Sequence, residues 1–216
     1  MKKQYVVFGA GKFGASIAIT LEDLGFEVMV VDRDPEVIQE IAPKVSYAVC
    51  VNVEESDVFE ELGLANMDGA VVAFTENMGA SIVAVMMCHE VGIPQIFAKS
   101  KNSVHEKILK KVGAHKVIYP ESEMGKRIAK YITADNFMDW IDLSPEFSLV
   151  EMEIPKSWRG RTLLELNLRK NHQINVIGYK KGDEVNINLS PLEPLPGEGI
   201  LIVIGENEAI ERITDL

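Results

Sequence analysis

Short β-branched runs alternate with longer segments of helical period over the first 120 residues of the chain. The strand candidates are residues 5–8, 28–31, 47–51, 70–74, 95–98 and 116–119. Glycines suited to the left-handed end of a helix follow the intervening segments, at Gly25, Gly63, Gly92 and Gly113. Apolar strands joined by helices predict an α/β fold, with a Rossmann-like, doubly wound parallel sheet that is buried on both faces.

The sequence also indicates where helices begin and which faces they bury. Asp34 and Pro35 supply an N-cap and an N1 proline, and Ser103 with Glu106 has the pattern of a capping box. Four apolar residues of the first helix share one face, which we expect to pack on the sheet. They are Phe13, Ile17, Leu21 and Leu24.

The pattern changes after Pro120. A helix is expected over residues 124–134, followed by a short amphipathic piece over 136–141. Later strand candidates are 149–154, 175–180, 185–189 and 200–205, with helical segments near 163–168 and 208–213. These elements predict a Rossmann-like domain over 1–120, a helix and linker over 121–144, and a smaller α+β domain over 145–216.

The formal net charge of −11 narrows the range of partners. Nucleic-acid phosphates and anionic lipids repel an acidic chain, so we expect no nucleic-acid partner. Cys50 and Cys88, the two cysteines, each lie within an apolar run, which favours a reducing, cytoplasmic location. Apolar runs also fall short of the roughly 18–20 residues that cross a bilayer.

The strongest motif is a GxGxxG sequence that follows the first strand and begins the first helix. It comprises Gly9, Gly11 and Gly14, with Lys12 and Phe13 between the last two. The glycines allow a tight turn, the approach of a phosphate to the backbone, and close contact of helix with strand. Asp32 follows 21 residues after Gly11, at the end of the second strand, where a carboxylate can accept hydrogen bonds from ribose. Together they predict an adenosine nucleotide site.

The identity of that nucleotide stays open at this point. Asp32 disfavours the 2′-phosphate of NADP, although the neighbouring Arg33 weakens the objection. NAD(H), ATP, ADP and AMP all contain the adenosine group. Lys12 lies in the first helical turn, where the dipole disfavours a cation unless a phosphate is bound; the alternative is an exposed lysine with its charge in water.

Further candidates come from topology, because ligands of doubly wound folds lie beyond the carboxyl ends of the strands. Asn52 and Val53 are placed to contact adenine, and Thr75 and Asn77 to face the phosphates or a second nucleoside. Lys99 is placed to meet a phosphate. The alternatives are that both asparagines cap helices and that Lys99 is a solvated charge.

Two features bear on metal binding and catalysis. Glu121 is a candidate ligand for Mg²⁺ or another divalent cation that bridges phosphates, or else an acid that stabilises a helix start. The histidines, which are His89, His105, His115 and His172, have no Cys, Ser or acid at a recognisable catalytic spacing. Binding without chemistry is therefore the better interpretation, and a small NAD-dependent oxidoreductase is the alternative.

At this point the chain resembles the RCK (KTN) regulatory subunits of bacterial Ktr and Trk potassium uptake systems, which combine a TrkA-N and a TrkA-C domain. The resemblance spans nearly the whole chain. By its single-RCK length, the chain is more similar to Ktr subunits than to double-length Trk subunits, and among Ktr proteins it most resembles the A type. The crossover helix of the family, which serves dimerisation, matches residues 124–134. The resemblance rests on residues 7–14, 30–32, 97–99, 118–121, 124–125, 140–143, 175–177 and 189–191.

The resemblance implies a regulator rather than an enzyme. Such subunits form homodimers that assemble into a cytosolic octameric ring beneath a membrane-embedded potassium transporter, peripheral to the inner face of the membrane. Binding of ATP, ADP or NAD(H) to the subunit switches the activity of the transporter. The residues implied by position are Gly9, Gly11 and Gly14 at the phosphates, Asp32 at ribose, Asn52 by adenine, Lys99 at phosphate and Glu121 at a divalent cation. Lys12 stands where Ktr subunits usually have arginine, and a lysine loses the forked hydrogen bonds.

The resemblance also implies a second ligand. Some Ktr subunits bind cyclic di-AMP at the dimer interface of the second domain, and the matching residues here are Arg169, Asn175, Val176 and Pro191. An arginine suits phosphates, but the pattern at Asn175 and Val176 is equally typical of an ordinary strand start. A regulator of a cation/proton antiporter is a further alternative for the chain.

Overall fold

The computed structural model describes residues 2–54, 62–133 and 137–213. The chain divides into two compact units, residues 1–120 and 121–216. No helix in the described ranges combines the length and the apolar character that a membrane span requires.

The first unit is a parallel sheet with connecting helices. Its strands are β1 (Gln4–Phe8), β2 (Glu27–Asp32), β3 (Tyr47–Cys50), β4 (Gly69–Val72), β5 (Ile96–Lys99) and β6 (Lys116–Ile118). Its helices are α1 (Lys12–Asp23), α2 (Pro35–Ile41), α3 (Met78–Glu90) and α4 (Ser103–Lys111), with 3-10 turns at Ala42–Lys44 and Leu64–Asn66. The order β3-β2-β1-β4-β5-β6 confirms the doubly wound sheet.

Side chains bury both faces of this sheet. Val7 and Val30 lie in a cluster with residues of α1 and α2, whereas Val6 and Phe8 lie in a cluster with residues of α3 and α4. Phe13, Ile17 and Leu21 pack against the first cluster as predicted. The prediction is wrong for Leu24, which is 66% exposed because α1 ends at Asp23 and leaves Leu24 as its C-cap.

The observed helix ends agree with the predicted ones except at the start of α4. Asp34 caps α2 by accepting a hydrogen bond from the Glu36 N–H at 2.9 Å, as predicted. The capping box at Ser103 is wrong, because the Asn102 amide oxygen accepts from the His105 N–H at 2.9 Å and makes Ser103 the first helical residue. Positive φ angles occur as predicted at Gly25, Gly63, Gly92 and Gly113. Residues 55–61, which precede Gly63 closely, lie outside the described residues.

The second unit is built on an antiparallel sheet. After α5 (Pro120–Thr133) come β7 (Phe137–Asp142), β8 (Phe147–Glu153), β9 (Ile174–Lys181), β10 (Glu184–Asn186) and β11 (Ile200–Glu206), in the order β10-β9-β11-β8-β7. The short helices are α6 (Leu163–Leu166), α7 (Leu168–Asn171) and α8 (Asn207–Arg212). This confirms the second, smaller α+β fold.

One segment of this unit differs from the sequence-based assignment. Residues 137–142, expected within the linker, form β7 and pair with β8, and the Trp140 side chain lies in the core of this unit. Ala134 and Asn136, which end and begin two predicted elements, lie outside the described residues.

Candidate functional site

The turn between β1 and α1 depends on glycines at two close contacts. Gly9 has a φ of +89°, and its N–H donates to the Val31 carbonyl at 2.7 Å, which fastens the turn to β2. A Cβ atom on Gly14 would lie 1.8 Å from the Gly9 carbonyl oxygen. The first turn of α1 is therefore in direct contact with the end of β1.

Gly11 is different, because open space surrounds it. It is the N-cap of α1, and a Cβ there would meet nothing within 4 Å among the described residues. Gly11 has no side chain with which to cap α1, and the first turn of the helix contains no acidic residue. The N–H groups of this turn and the positive end of the helix dipole are directed toward a position that an anion can occupy.

Asp32 ends β2 and bonds directly to the glycine turn. Its Oδ2 accepts from the Ala10 N–H at 2.7 Å, and its Oδ1 accepts from the Asp34 N–H at 3.0 Å. Each carboxylate oxygen can accept a second hydrogen bond, and the side chain is only half-buried. The carboxylate is thus fixed next to α1 with capacity left for a ligand hydroxyl. Arg33 beside it is exposed.

A side-chain hydrogen bond joins the loops after β3 and β4. Asn77 caps α3, since its Oδ1 accepts from the Ala80 N–H at 3.0 Å, and its Nδ2 donates to Glu54 Oε1 at 2.8 Å. The capping alternative is therefore confirmed for Asn77. Asn52 forms a local turn, in which its Oδ1 accepts from the Glu54 N–H at 3.2 Å.

Two of the remaining candidates at this edge, Val53 and Thr75, differ in exposure. The Val53 side chain is buried in the core, so a ligand would meet its backbone rather than its side chain. Thr75, just after β4, is half-buried.

Two lysines lie at the start of α1. Lys99 ends β5, and its Nζ lies 5.4 Å from the centroid of the Phe13 ring, which is within the range of a cation–π contact. Lys12 is the first residue of α1 and is exposed. Positive charge is therefore present where the sequence predicts a phosphate.

These residues share the edge formed by the carboxyl ends of β1 to β5. Because β1 lies between β2 and β4, this edge contains the topological switch point, where doubly wound folds bind ligands. The predicted residues that this edge of the first unit brings together are Gly9, Gly11, Lys12, Phe13, Gly14, Asp32, Asn77 and Lys99.

Glu121 lies in the first turn of α5 and is exposed. Over the described ranges, no group of three or more His, Cys, Asp or Glu side chains is arranged to hold a metal ion. The role of Glu121 stays a prediction.

The four cyclic di-AMP candidates are distributed over α7, β9 and the loop after β10. Arg169 and Asn175 are exposed, whereas Val176 packs against the core. The Pro191 carbonyl accepts from the Leu164 N–H at 3.0 Å, which fastens its loop to α6. Their role as a ligand site stays a prediction.

One buried pair was not predicted from the sequence. His105 Nε2 lies 2.8 Å from Ser81 Oγ, and both side chains are fully buried. Burial lowers the pKa of His105. The Ser81 hydroxyl donates to the Met78 carbonyl at 2.9 Å, so Ser81 accepts from the imidazole rather than acting as its nucleophile. The pair joins α3 to α4, and only the fold could reveal it.

Family models match both units of the chain. The TrkA-N domain matches residues 5–120, and the TrkA-C domain matches residues 149–216. The chain is 41% identical over 212 residues to the Ktr system potassium uptake protein C of Bacillus subtilis, covering 98% of this chain and 96% of that protein. Its identity to protein A of the same organism is 31% over 210 residues, covering 97% and 95%. Of these two, protein C is the more similar, whereas the resemblance noted from the sequence was to the A type.

Among solved structures, a GsuK channel bound to NAD has a similar fold. The superposition has a TM-score of 0.67 at 15% sequence identity and covers 99% of this chain. The chain spans 40% of the length of that channel chain. This likeness confirms the fold of both units.

Proposed function

The chain belongs to the family of TrkA-N and TrkA-C domain proteins, which includes Ktr potassium uptake proteins, and on that premise we propose that it is a nucleotide-binding regulatory subunit of a potassium transporter. The observation that carries the proposal is the hydrogen bond from the Ala10 N–H to Asp32. It holds the carboxylate that we propose for ribose against the turn that we propose for phosphate, which is the arrangement found in dinucleotide-binding folds.

The ligand of this edge is ATP, ADP or NAD(H). Asp32 accepts hydrogen bonds from the ribose hydroxyls and disfavours NADP, because a 2′-phosphate would lie against the carboxylate. The backbone around Gly11 receives the phosphates, with Lys12 and Lys99 as counter-charges. The related GsuK channel has been solved with NAD bound, which supports this class of ligand.

Two further ligands follow from the family. Glu121 contributes to a site for Mg²⁺ or another divalent cation that the nucleotide phosphates complete. Cyclic di-AMP binds the second unit, with Arg169 at its phosphates and Asn175, Val176 and Pro191 beside its bases.

The partners are further copies of this chain and the membrane-embedded part of a potassium transporter. An apolar stripe on α5 supports self-association, since Met124, Ile128 and Ile132 recur every four residues and are 51%, 52% and 73% exposed. We place the chain in the cytoplasm, as homodimers assembled into an octameric ring at the inner face of the membrane.

The mechanism is differential binding rather than catalysis. A nucleotide shifts the transporter only if one arrangement of the ring binds it more tightly than another. Moving an equilibrium from mostly closed to mostly open takes about 5.5 kcal/mol, which several copies of the chain can supply together. The site itself offers positioned hydrogen-bond donors, an acid and two lysines, without an activated nucleophile or a paired acid and base among the described residues.

Potassium flux through the transporter in inside-out membrane vesicles, where nucleotides can be added to the cytoplasmic face, tests the proposal. Asp32→Ala should abolish the dependence of this flux on ATP, ADP and NADH. Asp34→Ala is the matched control, because the Asp34 side chain only caps α2, and the backbone N–H that donates to Asp32 is kept in alanine. A response that survives in Asp32→Ala, or net turnover of the nucleotide by the purified chain, would contradict the proposal.

A further inference from the structure

The buried histidine of the first unit has both ring nitrogens engaged. His105 Nε2 lies 2.8 Å from Ser81 Oγ, and His105 Nδ1 accepts from the Lys101 N–H at 3.3 Å. Because Ser81 donates its own proton to the Met78 carbonyl, the imidazole proton must lie on Nε2. The imidazole is thus held as one neutral tautomer between α3 and the turn that follows β5.

Both backbone polar groups of Lys101, its N–H and its carbonyl, form hydrogen bonds with side chains. His105 accepts its N–H, and the Tyr119 hydroxyl donates to its carbonyl at 2.6 Å. The preceding residue, Ser100, is buried and donates to the Asn102 carbonyl at 2.7 Å. The turn therefore has a defined position immediately after Lys99.

The other contact of the imidazole, with Ser81, connects it to the helix that follows the loop after β4. Ser81 lies in the first turn of α3, and that helix begins at the Asn77 cap after β4. His105 thereby ties the loop after β4 to the loop after β5. Both loops lie at the edge where the nucleotide is expected.

We propose that His105 is a positioning residue for the nucleotide site, which holds the turn after β5 so that Lys99 reaches the phosphates at the start of α1. The inference rests on the proposed function. A histidine that only fills the core changes stability, whereas this histidine changes nucleotide affinity through Lys99.

Two substitutions at His105 each keep one of the two hydrogen bonds of the imidazole and remove the other. In His105→Asn the amide oxygen replaces Nδ1 as acceptor for the Lys101 N–H and the contact with Ser81 is lost. In His105→Gln the longer side chain keeps a donor for Ser81 and the acceptor for Lys101 is lost. We expect affinities for ATP, ADP and NAD, measured by calorimetry, to fall about tenfold in His105→Gln and twofold or less in His105→Asn, because the charge-assisted contact of Lys99 is weakened only in the former.

His115→Gln is the matched control. Its Nδ1 accepts from the Ile96 N–H at 3.1 Å, which is the same kind of contact at the opposite end of β5. Loss of this hydrogen bond should leave the affinities for ATP, ADP and NAD unchanged. In a Lys99→Met background the His105→Gln effect should disappear, because the two residues then act on the same interaction.

Tyr119→Phe tests the same turn without altering the buried pair. It removes only an exposed hydrogen bond to the Lys101 carbonyl, so it should fold and bind ATP, ADP and NAD about twofold more weakly. If wild type binds nucleotide and neither this variant nor the folded His105 variants differ from it in affinity, the positioning role of His105 is overturned and the proposed function is not. Wild type that binds none of the three nucleotides would overturn the proposed function and this inference together.

Discussion

The two units present their candidate residues in different ways. In the first unit, the strands of a parallel sheet all have their carboxyl ends at one edge, and residues from four loops meet there. In the second unit, an antiparallel sheet reverses direction at each strand, and the candidates are distributed over a helix, a strand and a loop. A parallel sheet therefore concentrates polar loop residues at one edge, and an antiparallel sheet does not.

Four polar side chains of the second unit are hydrogen-bonded to one another. The Trp140 indole N–H lies 2.8 Å from Asp142 Oδ1 and 2.9 Å from Ser148 Oγ, and Asn207 Oδ1 lies 2.6 Å from Ser148 Oγ. Such a network of satisfied polar groups stabilises a fold. The glycine turn of the first unit instead directs backbone N–H groups toward open space. The following predictions test this difference, from the largest effect to the smallest.

Gly14→Ala should disrupt the first unit most strongly. Its Cβ would lie 1.8 Å from the Gly9 carbonyl oxygen, so backbone must move, and we expect a loss of about 3 kcal/mol in the free energy of unfolding. Urea unfolding followed by circular dichroism measures it. Both tryptophans, Trp140 and Trp158, lie in the core of the second unit, so their fluorescence reports separately on that unit.

Gly11→Ala is the control for that variant. With no atom within 4 Å of its Cβ among the described residues, it should cost no more than about 1 kcal/mol of stability while still weakening nucleotide binding. Equal stability of the two alanine variants would show that the close contact at Gly14 is not required.

Ser148→Ala should destabilise the second unit by about 1–2 kcal/mol. Ser148 is fully buried, and its removal takes away one partner of both Trp140 and Asn207. Tryptophan fluorescence during urea unfolding should shift to lower urea, while nucleotide affinity stays unchanged. A loss of nucleotide binding without a loss of stability would contradict the distinction between the units.

Asp139→Asn should have a smaller effect than the preceding substitutions. The Arg127 guanidinium, which hydrogen-bonds to Asp139, lowers the pKa of this carboxyl below its ordinary value of 3.8. The folded state then binds the proton more weakly than the unfolded chain, so the pair stabilises the second unit above about pH 4 and the contribution is lost as the pH falls through the folded pKa. Thermal unfolding should show a slightly lower Tm than wild type at pH 7, and the difference should shrink as the pH falls below about 4.

Because both side chains of this pair are partly exposed, solvent screens most of its energy. Glu198→Gln, at the more exposed pair with Lys181, should change the Tm still less. A difference for Asp139→Asn that persists at low pH would show that the charge of Asp139 is not its cause.

Local rules made much of the first unit predictable. The glycine turn and Asp32 could be predicted because strand, turn and acid follow one another at a fixed spacing. The cap at Asn102 was assigned one residue late, because Asn and Ser both cap helices and the sequence does not show which one has a β-region backbone.

Contacts between distant residues could not be predicted. Ser81 and His105 are 24 residues apart, and no local pattern indicates that α3 and α4 pack side by side. Strand β7 was missed because its partner β8 supplies the hydrogen bonds that make it a strand.

Calorimetric titration of the purified chain with ADP and NAD tests the central claim most directly, with Asp32→Ala and Asp34→Ala beside wild type. Binding by wild type and Asp34→Ala, with at least a tenfold loss in Asp32→Ala at unchanged far-ultraviolet circular dichroism, is the predicted result. Equal binding by all three proteins would contradict the account, because the carboxylate that ends β2 would then play no part in holding the nucleotide.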